Sequence, residues 1–135
     1  MPQEGRASTP AETVEAFIAA FIAAWPQGDA VSLRSFFRED AVYQNGPIAP
    51  VTGGDAIVAA FAGFMALGGQ VRVDMTHMVA DGAIVMTERV DHFIGPDQTI
   101  SLPVMGIIEV HDGVIAAWRD YFDLDQFMSQ MPAGG

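Results

Sequence analysis

The sequence contains no cysteine, only six basic residues and no long apolar run. The lack of cysteine excludes disulfides, thiolate nucleophiles, cysteine-type zinc sites and iron–sulfur clusters. Six Lys and Arg against 17 Asp and Glu leave a net charge of -11, which repels nucleic-acid phosphates and anionic lipid surfaces. We therefore expect no nucleic-acid partner and no membrane partner.

Length and composition are typical of one compact domain. Half of the 135 residues are hydrophobic and 17% are charged, which allows a sizeable apolar core without disulfides or metal. The predicted domain spans residues 1–135, with flexible tails over 1–8 and 130–135. No apolar segment follows the N-terminal residues as in a secretion signal, and no apolar run approaches ~18 residues, so we expect a cytoplasmic protein.

The N-terminal part of the chain has helical periodicity. Thr9-Pro10-Ala11-Glu12 has the residues of an N-cap, a first-turn proline and a capping-box Glu, and predicts a helix that Pro26 and Gly28 end. Asp29 is expected to cap a second, shorter helix. The residues predicted to face inward from these helices are Val14, Phe17, Ile18, Phe21, Ile22 and Trp25, then Leu33, Phe36 and Phe37.

A strand, a loop and a third helix are predicted next. Residues 41–45 have the pattern of a short strand, and 46–54 are expected to form a loop because they contain two prolines and a glycine pair. Asp55 is the predicted start of the third helix. Its predicted inward residues are Ile57, Val58, Phe61, Phe64 and Met65.

The rest of the chain alternates apolar and polar residues between turn signals such as Asp81-Gly82 and Asp112-Gly113. This pattern predicts an antiparallel meander with strands near 70–80, 83–94, 98–110 and 113–122. A brief helix is expected to start around Asp123 or Leu124. Helices first and strands afterwards predict an α+β domain with the helices on one face of a curved sheet.

Arg89 and Asp91 place a cation and an anion on one face of a predicted strand, because side chains alternate along a strand. Thr87 and Phe93 share that face. Spacing alone leaves two interpretations open. The pair is either an ordinary ion pair on a solvated sheet, which stabilises little, or a buried pair, which is costly unless the charges are paired or used.

Asp120 lies between two aromatic residues, since Trp118 and Phe122 share its face of the last predicted strand. It is either a carboxylate that caps the following turn or a catalytic group. Tyr43 and Asn45 also share a strand face. Taken alone, they are a core tyrosine and an asparagine that begins a turn.

The three histidines do not predict a metal site. His77, His92 and His111 lie on separate predicted strands without the spacing of metal ligands. The glycine pairs lack the spacing of nucleotide-binding motifs, and no serine has the context of a nucleophile.

Three segments resemble the limonene-1,2-epoxide hydrolase family of the NTF2-like and SnoaL-like group. They are Tyr43-Gln44-Asn45, Thr87-Glu88-Arg89-Val90-Asp91 and Trp118-Arg119-Asp120-Tyr121-Phe122-Asp123-Leu124. The order and spacing of the predicted elements match this family from about Thr9 to Phe127. The resemblance implies a cone-shaped α+β fold, in which a curved mixed sheet and N-terminal helices enclose a deep apolar pocket.

The resemblance also implies a site and an activity. The family's Asp-Arg-Asp triad falls on Asp91, Arg89 and Asp120, and its water-positioning residues fall on Tyr43 and Asn45. Such enzymes convert an epoxide to a vicinal diol in one concerted step, without a covalent ester. They are commonly homodimeric and need no cofactor. The expected partners are therefore water, a small hydrophobic terpene or cycloalkene epoxide, and a second copy of the chain.

Epoxide opening needs a nucleophile on carbon and a proton for the departing oxygen, because an alkoxide leaves poorly near neutral pH. Two carboxyls in different protonation states supply both. We assign Asp120, with Tyr43 and Asn45, to hold and deprotonate the water, and protonated Asp91 to donate to the epoxide oxygen. Arg89 bridges them. A neighbouring cation lowers a carboxyl pKa and burial raises it, so desolvation must prevail at Asp91.

The predicted pocket lining follows from strand alternation and helix faces, against the alternative that several of these residues only fill the core. The predicted lining residues are Trp25, Phe64, Phe93, Leu102, Val104 and Phe122.

Two other functions remain open on the same fold. One is a SnoaL-like or ketosteroid-isomerase-like enzyme, in which a lone acid or base moves a proton beside a carbonyl. Such an enzyme would not require an arginine between two aspartates. The other is a non-catalytic protein that binds a small hydrophobe or another subunit, and it predicts ligand binding with no diol formed.

Overall fold

The structure is a computed structural model that describes residues 8–131. The predicted tails, 1–8 and 130–135, lie outside the described residues except for 8, 130 and 131. Among the described residues, no helix has both the length and the apolar character needed to span a bilayer. The helices and strands are α1 (Pro10–Ala24), β1 (Phe37–Asn45), β2 (Val51–Thr52), α2 (Gly54–Met65), β3 (Gln70–Asp81), β4 (Ile84–Ile94), β5 (Thr99–His111), β6 (Val114–Tyr121) and α3 (Leu124–Met128).

The six strands form one mixed sheet in the order β2-β1-β6-β5-β4-β3. Strands β3 to β6 are the predicted antiparallel meander, whereas β1 runs parallel to β6. Between β5 and β6, Asp112 and Gly113 have φ values of 53° and 79°, as a two-residue hairpin turn requires. The predicted α+β class with a curved mixed sheet is therefore confirmed.

Helix α1 begins and ends where its sequence signals predict. The Thr9 hydroxyl accepts from the Glu12 backbone N–H at 3.1 Å, and the Glu12 carboxylate accepts from the Thr9 N–H at 2.9 Å. This capping box satisfies backbone donors that a helix start otherwise leaves unpaired. The helix gives way to a single 3-10 turn over Trp25–Gln27, and Gly28 follows with a φ of 64°.

The second predicted helix is present as a 3-10 helix, but it ends before Phe37, which was predicted to belong to it. A 3-10 helix spans Ala30–Phe36, and β1 begins at Phe37 rather than at residue 41. Asp29 does cap this helix, by accepting from the Ser32 N–H at 3.4 Å. The strand begins early because Phe37 is buried and pairs with Ile115 of β6. The three charged residues that follow hide the alternation of β1 from the sequence.

The predicted loop over 46–54 also needs correction. It contains the two-residue strand β2, which pairs antiparallel with β1. Helix α2 begins at Gly54, one residue before the predicted start, after Gly53 turns the chain with a φ of 101°. Of its predicted inward residues, Ile57, Phe61 and Met65 are buried, whereas Val58 and Phe64 are half-buried.

An aromatic cluster fills the space between the helices and the sheet. Phe17 of α1 is its centre, because the ring lies 5.0–5.9 Å, centroid to centroid, from five others. Such ring pairs stabilise a core beyond the area they bury. The five rings around Phe17 belong to Phe21, Phe36, Phe37, Phe61 and Trp118.

Replacing Phe37 by Ala tests this cluster. Phe37 is 4% exposed and packs against Phe17 and Phe61, with centroids 5.3 and 5.7 Å away. We expect Phe37→Ala to lower the free energy of unfolding by about 3–5 kcal/mol, because it leaves a cavity in the core. Denaturant unfolding at one protein concentration measures this. Val31→Ala is the control, since Val31 is 74% exposed. Equal losses in the two variants would contradict the packing described.

Candidate active site

A row of four residues crosses the inner face of the sheet. Asn45 of β1 is in register with Asp120 of β6, Asp120 with Gly106 of β5, and Gly106 with Thr87 of β4. Residues in register on neighbouring strands point to the same side of a sheet. Tyr43 lies two residues before Asn45 and points the same way. Segments that are far apart in sequence therefore meet at this row.

Arg89 joins the two carboxylates that the sequence nominated. Its Nε and Nη2 atoms donate to the two oxygens of Asp91 at 2.9 and 3.2 Å. Nη2 also donates to Asp120 Oδ2 at 2.7 Å. Arg89 thus makes a two-bond fork to Asp91 and a single short bond to Asp120. Charge-assisted bonds of both kinds are stronger than hydrogen bonds between neutral groups. The structure thus brings Asp91, Arg89 and Asp120 together, while their catalytic roles stay predictions.

Trp118 holds the other oxygen of Asp120. The indole Nε1–H donates to Asp120 Oδ1 at 2.8 Å, and the Arg89 guanidinium lies 5.9 Å from the centre of the same indole. Each Asp120 oxygen therefore has one fixed donor and keeps a lone pair for a further donor. A water molecule that reaches this carboxylate would meet an acceptor of fixed orientation.

Burial changes the acid–base properties of this cluster. Side chains of Arg89 and Asp120 are only 6% and 10% exposed. Desolvation raises the pKa of Asp91, and the charge of Asp120 adds to this, although Arg89 opposes both. The pKa of Tyr43 is raised well above its usual range, first by desolvation and then by Asp120. The raised pKa favours a proton on Asp91, and the Tyr43 hydroxyl remains protonated.

These positions exclude two of the interpretations that the spacing left open, while the catalytic roles stay predictions. The Arg89–Asp91 pair is not an ordinary pair on a solvated face, because it lies inside the molecule. Asp120 does not cap the turn after β6; Asp123 does, by accepting backbone N–H bonds from the first turn of α3. Asn45 begins a turn with its carbonyl and also lines the cavity beside the triad.

A largely apolar cavity of about 370 Å³ lies between the helices and the sheet. Its wall includes Asp91, Arg89 and Asp120, together with Tyr43 and Asn45. That these residues and the six below act on a substrate stays a prediction. All six residues predicted as lining lie on the wall: Trp25, Phe64, Phe93, Leu102, Val104 and Phe122.

Sequence reasoning missed the parts of the cavity wall that α1 and α3 supply. Phe17 and Phe21 of α1 line the cavity, although their spacing predicted only a core position. Leu124, Phe127 and Met128 bring α3 to the wall. The helix itself was expected to start around Asp123 or Leu124, but five residues are too few for periodicity to show which of them face the cavity.

The histidines pair with acidic residues rather than with one another. Within residues 8–131, no group of three His, Asp or Glu side chains could hold a metal ion. The pairs are His77 with Glu88 at 2.8 Å, His92 with Asp74 at 2.8 Å, and His111 with Glu109 at 3.6 Å.

The fold places the protein in the NTF2-like class. It is similar to a Catenulispora acidiphila protein with a ketosteroid isomerase-like fold, at 24% identity and a TM-score of 0.72, over 88% of this chain and 95% of that one. It is also similar to an NTF2-like protein from Cytophaga hutchinsonii, at 13% identity and a TM-score of 0.64, over 89% of this chain and 94% of that one. At these identities the likeness shows the fold alone.

Sequence comparison narrows this class to one family. The family model described as the limonene-1,2-epoxide hydrolase catalytic domain matches residues 8–133. The chain is 34% identical over 107 residues to epoxide hydrolase EphG of Mycobacterium tuberculosis, covering 79% of this chain and 71% of EphG. A solved M. tuberculosis LEH-like epoxide hydrolase is similar at 31% identity and a TM-score of 0.66, over 84% of this chain and 85% of that one. The chain belongs to the limonene-1,2-epoxide hydrolase family, as its three segments predicted.

Removing the guanidinium tests the electrostatics of the cluster. Arg89→Met leaves the buried Asp120 and the half-buried Asp91 without a cation, so we expect the free energy of unfolding at pH 7 to fall by about 3–5 kcal/mol. The pKa of Asp91 is already raised and would rise further in this variant. An acid with a raised folded-state pKa binds protons preferentially in the folded state, so the loss should shrink as the pH falls through that raised pKa. Denaturant unfolding across pH measures this.

The matched control neutralises the whole cluster. In Arg89→Met/Asp91→Asn/Asp120→Asn no charge remains buried, so most of the lost stability should return. If this triple variant is as unstable at pH 7 as Arg89→Met, packing rather than charge explains the loss.

Proposed function

We propose that the protein hydrolyses hydrophobic epoxides to vicinal diols by adding water in one step, without a covalent intermediate. The observation that carries this proposal is one guanidinium bonded to a buried and a half-buried carboxylate, at 2.7 and 2.9 Å, in the wall of an apolar cavity. Membership of the limonene-1,2-epoxide hydrolase family and the similarity to EphG support the same activity. The family match over 8–133 also supports one domain along the chain.

Asp91 is the proposed general acid. Burial raises its pKa, which keeps a proton available for the epoxide oxygen as the carbon–oxygen bond breaks. With Asp91 protonated, Arg89 and ionised Asp120 leave the buried cluster without net charge. That is the arrangement a low-dielectric site favours.

Asp120 is the proposed general base. It accepts a proton from the water whose oxygen forms the new bond to carbon, while Tyr43 and Asn45 hold that water. Trp118 and Arg89 fix the carboxylate through bonds of 2.8 and 2.7 Å. At the end of the step Asp91 is ionised and Asp120 is protonated, and proton exchange restores the starting state.

The cavity also favours a class of substrate. Its wall is apolar except around the triad, Tyr43 and Asn45, so it offers no second polar group at a distance from the triad. Arg89 already bonds to both carboxylates, so it is not available to an anionic substrate, and the chain carries a net charge of -11. We therefore propose a neutral terpene or cycloalkene oxide, without carboxylate or phosphate. A volume near 370 Å³ suits such a small hydrophobe.

Single-turnover labelling separates this mechanism from its alternatives. With enzyme in excess over a cycloalkene oxide in ¹⁸O water, a one-step addition gives singly labelled diol in the first turnover. A covalent ester would instead transfer an unlabelled carboxylate oxygen in that turnover. A binding protein or a SnoaL-like enzyme would form no diol from any member of an epoxide panel, and that result would overturn the proposal.

Replacing either carboxyl tests the two roles. We expect Asp91→Asn and Asp120→Asn each to lower kcat by at least about 10²–10⁴-fold, because each removes one partner of general acid–base catalysis. Both should remain folded by circular dichroism. In the wild type, kcat should fall as pH rises through the raised pKa of Asp91. Asp97→Asn in the exposed turn after β4 is the control and should keep wild-type turnover. Wild-type turnover in either cluster variant would refute the assignment.

We propose in addition that the protein is a homodimer that associates through the outer face of the sheet. Met86, Met105 and Tyr121 on this face are 43%, 52% and 50% exposed. Arg119 and Glu109 add charges of both signs, 3.7 Å apart, which suits contact with an identical face. Apolar side chains of this size in one patch mark contact surfaces.

Sedimentation tests the dimer and its position. We expect a dimer for the wild type and a shift toward monomer for Met105→Glu, because the substitution places buried like charges at the interface. Val31→Glu changes an exposed residue of the 3-10 helix and should leave the dimer intact. A monomeric wild type, or a dimeric Met105→Glu variant, would count against this interface.

A further inference from the structure

Strand β5 lacks a side chain where the triad packs against it. The inward residues of β5 are bulky and apolar except at Gly106. A Cβ at this position would lie 2.7 Å from Asp120 Oδ1, 2.9 Å from Arg89 Nη1 and 2.9 Å from Thr87 Oγ1. Atoms of the catalytic cluster therefore occupy the space that any other residue would need.

The backbone does not require a glycine here. Gly106 is not among the residues with positive φ, so its conformation is open to any residue. A glycine inside a strand costs stability and often marks a close approach by another group. The register explains which group this is, since Gly106 stands between Asp120 on β6 and Thr87 on β4.

Thr87 completes the hydrogen bonding of Arg89. Its hydroxyl accepts from Nη1 at 3.1 Å, while Nε and Nη2 donate to the two aspartates. Each of the three guanidinium nitrogens thus has an acceptor. Thr87 is 1% exposed and does not line the cavity, so it cannot touch a substrate. Its contact acts through Arg89 alone.

We propose that Thr87 and Gly106 are positioning residues, which together hold the Arg89 guanidinium against Asp120 in the orientation that catalysis needs. The inference rests on the proposed epoxide hydrolysis. The Thr87 hydroxyl holds Nη1 and so prevents rotation of the guanidinium. Gly106 leaves the space through which Arg89 reaches across β5 to Asp120. Both carboxylates are oriented by this one guanidinium, and a displacement near 1 Å in such a site lowers rates by about 10²-fold.

Thr87→Val and Thr87→Ser test the hydroxyl. Valine keeps the shape of threonine but removes the acceptor, so we expect kcat to fall on the order of 10–100-fold. KM should change by less than about threefold, because the lost alignment matters in the transition state. Serine restores the hydroxyl and should recover most of kcat. Thr13→Val, at a buried threonine of α1 outside the cavity wall, is the matched control and should keep wild-type kcat.

Gly106→Ala tests the missing side chain. The three atoms that the new methyl group meets are the ends of side chains rather than backbone atoms, so the triad shifts while the sheet survives. We expect kcat to fall by about 10²-fold, with little change in circular dichroism. Gly95→Ala is the control, because a Cβ added there would lie 3.4 Å from its nearest neighbour, the Gln98 carbonyl oxygen, which is an ordinary contact.

A readout without substrate separates this inference from the proposed activity. In ¹⁵N-arginine-labelled protein, the Nη1 protons of Arg89 should exchange faster in Thr87→Val than in wild type, Thr87→Ser or Thr13→Val. If the wild type hydrolyses no epoxide but this difference holds, the positioning geometry stands and the proposed function fails. If the wild type is active and Thr87→Val and Gly106→Ala keep its kcat, or if the Arg89 signals do not change, the inference is overturned.

Discussion

A charged guanidinium inside an apolar interior is the constraint on which the rest of this molecule depends. Burial alone would make Arg89 very costly, but the two carboxylates outweigh that cost and raise its pKa. Pairing this cation takes groups from three strands. Asp91 lies on β4, the strand of Arg89 itself, and Asp120 lies on β6. Gly106 leaves space on β5, the strand between them. The inner face of the sheet is arranged around one cation.

The same arrangement gives two chemically identical side chains, Asp91 and Asp120, different surroundings. Asp91 receives a fork from Arg89, yet desolvation still raises its pKa, whereas Asp120 has a donor on each oxygen from Arg89 and Trp118. Both groups bond to one cation, so the position of that guanidinium matters to both of them. Different surroundings for equal groups are what general acid–base catalysis requires.

Local patterns predicted the parts of the site that lie close together in sequence. Alternation placed Arg89 beside Asp91 and put Trp118 on the face of Asp120, and both placements agree with the structure. That Asp120 meets Arg89 depends on the register of β4, β5 and β6, which spacing cannot supply, so family resemblance alone predicted it. The early start of β1 was missed because Arg38, Glu39 and Asp40 mask the alternation of the strand. The 3-10 type of the preceding helix was missed because seven residues cannot distinguish helix types.

The cavity wall and the core are built from the same residues, which limits how this site can change. Phe17 and Phe61 line the cavity and also belong to the buried aromatic cluster, and Trp118 both lines it and fixes Asp120. A smaller side chain at any of these positions enlarges the cavity but removes core contacts, at a cost of about 3–5 kcal/mol. Residues nearer the mouth, such as Leu67 and Met128, are 52% and 56% exposed and carry little of the core. Changes in the range of substrates are therefore expected to arise at the mouth, while the residues around the triad stay constrained by folding and chemistry together.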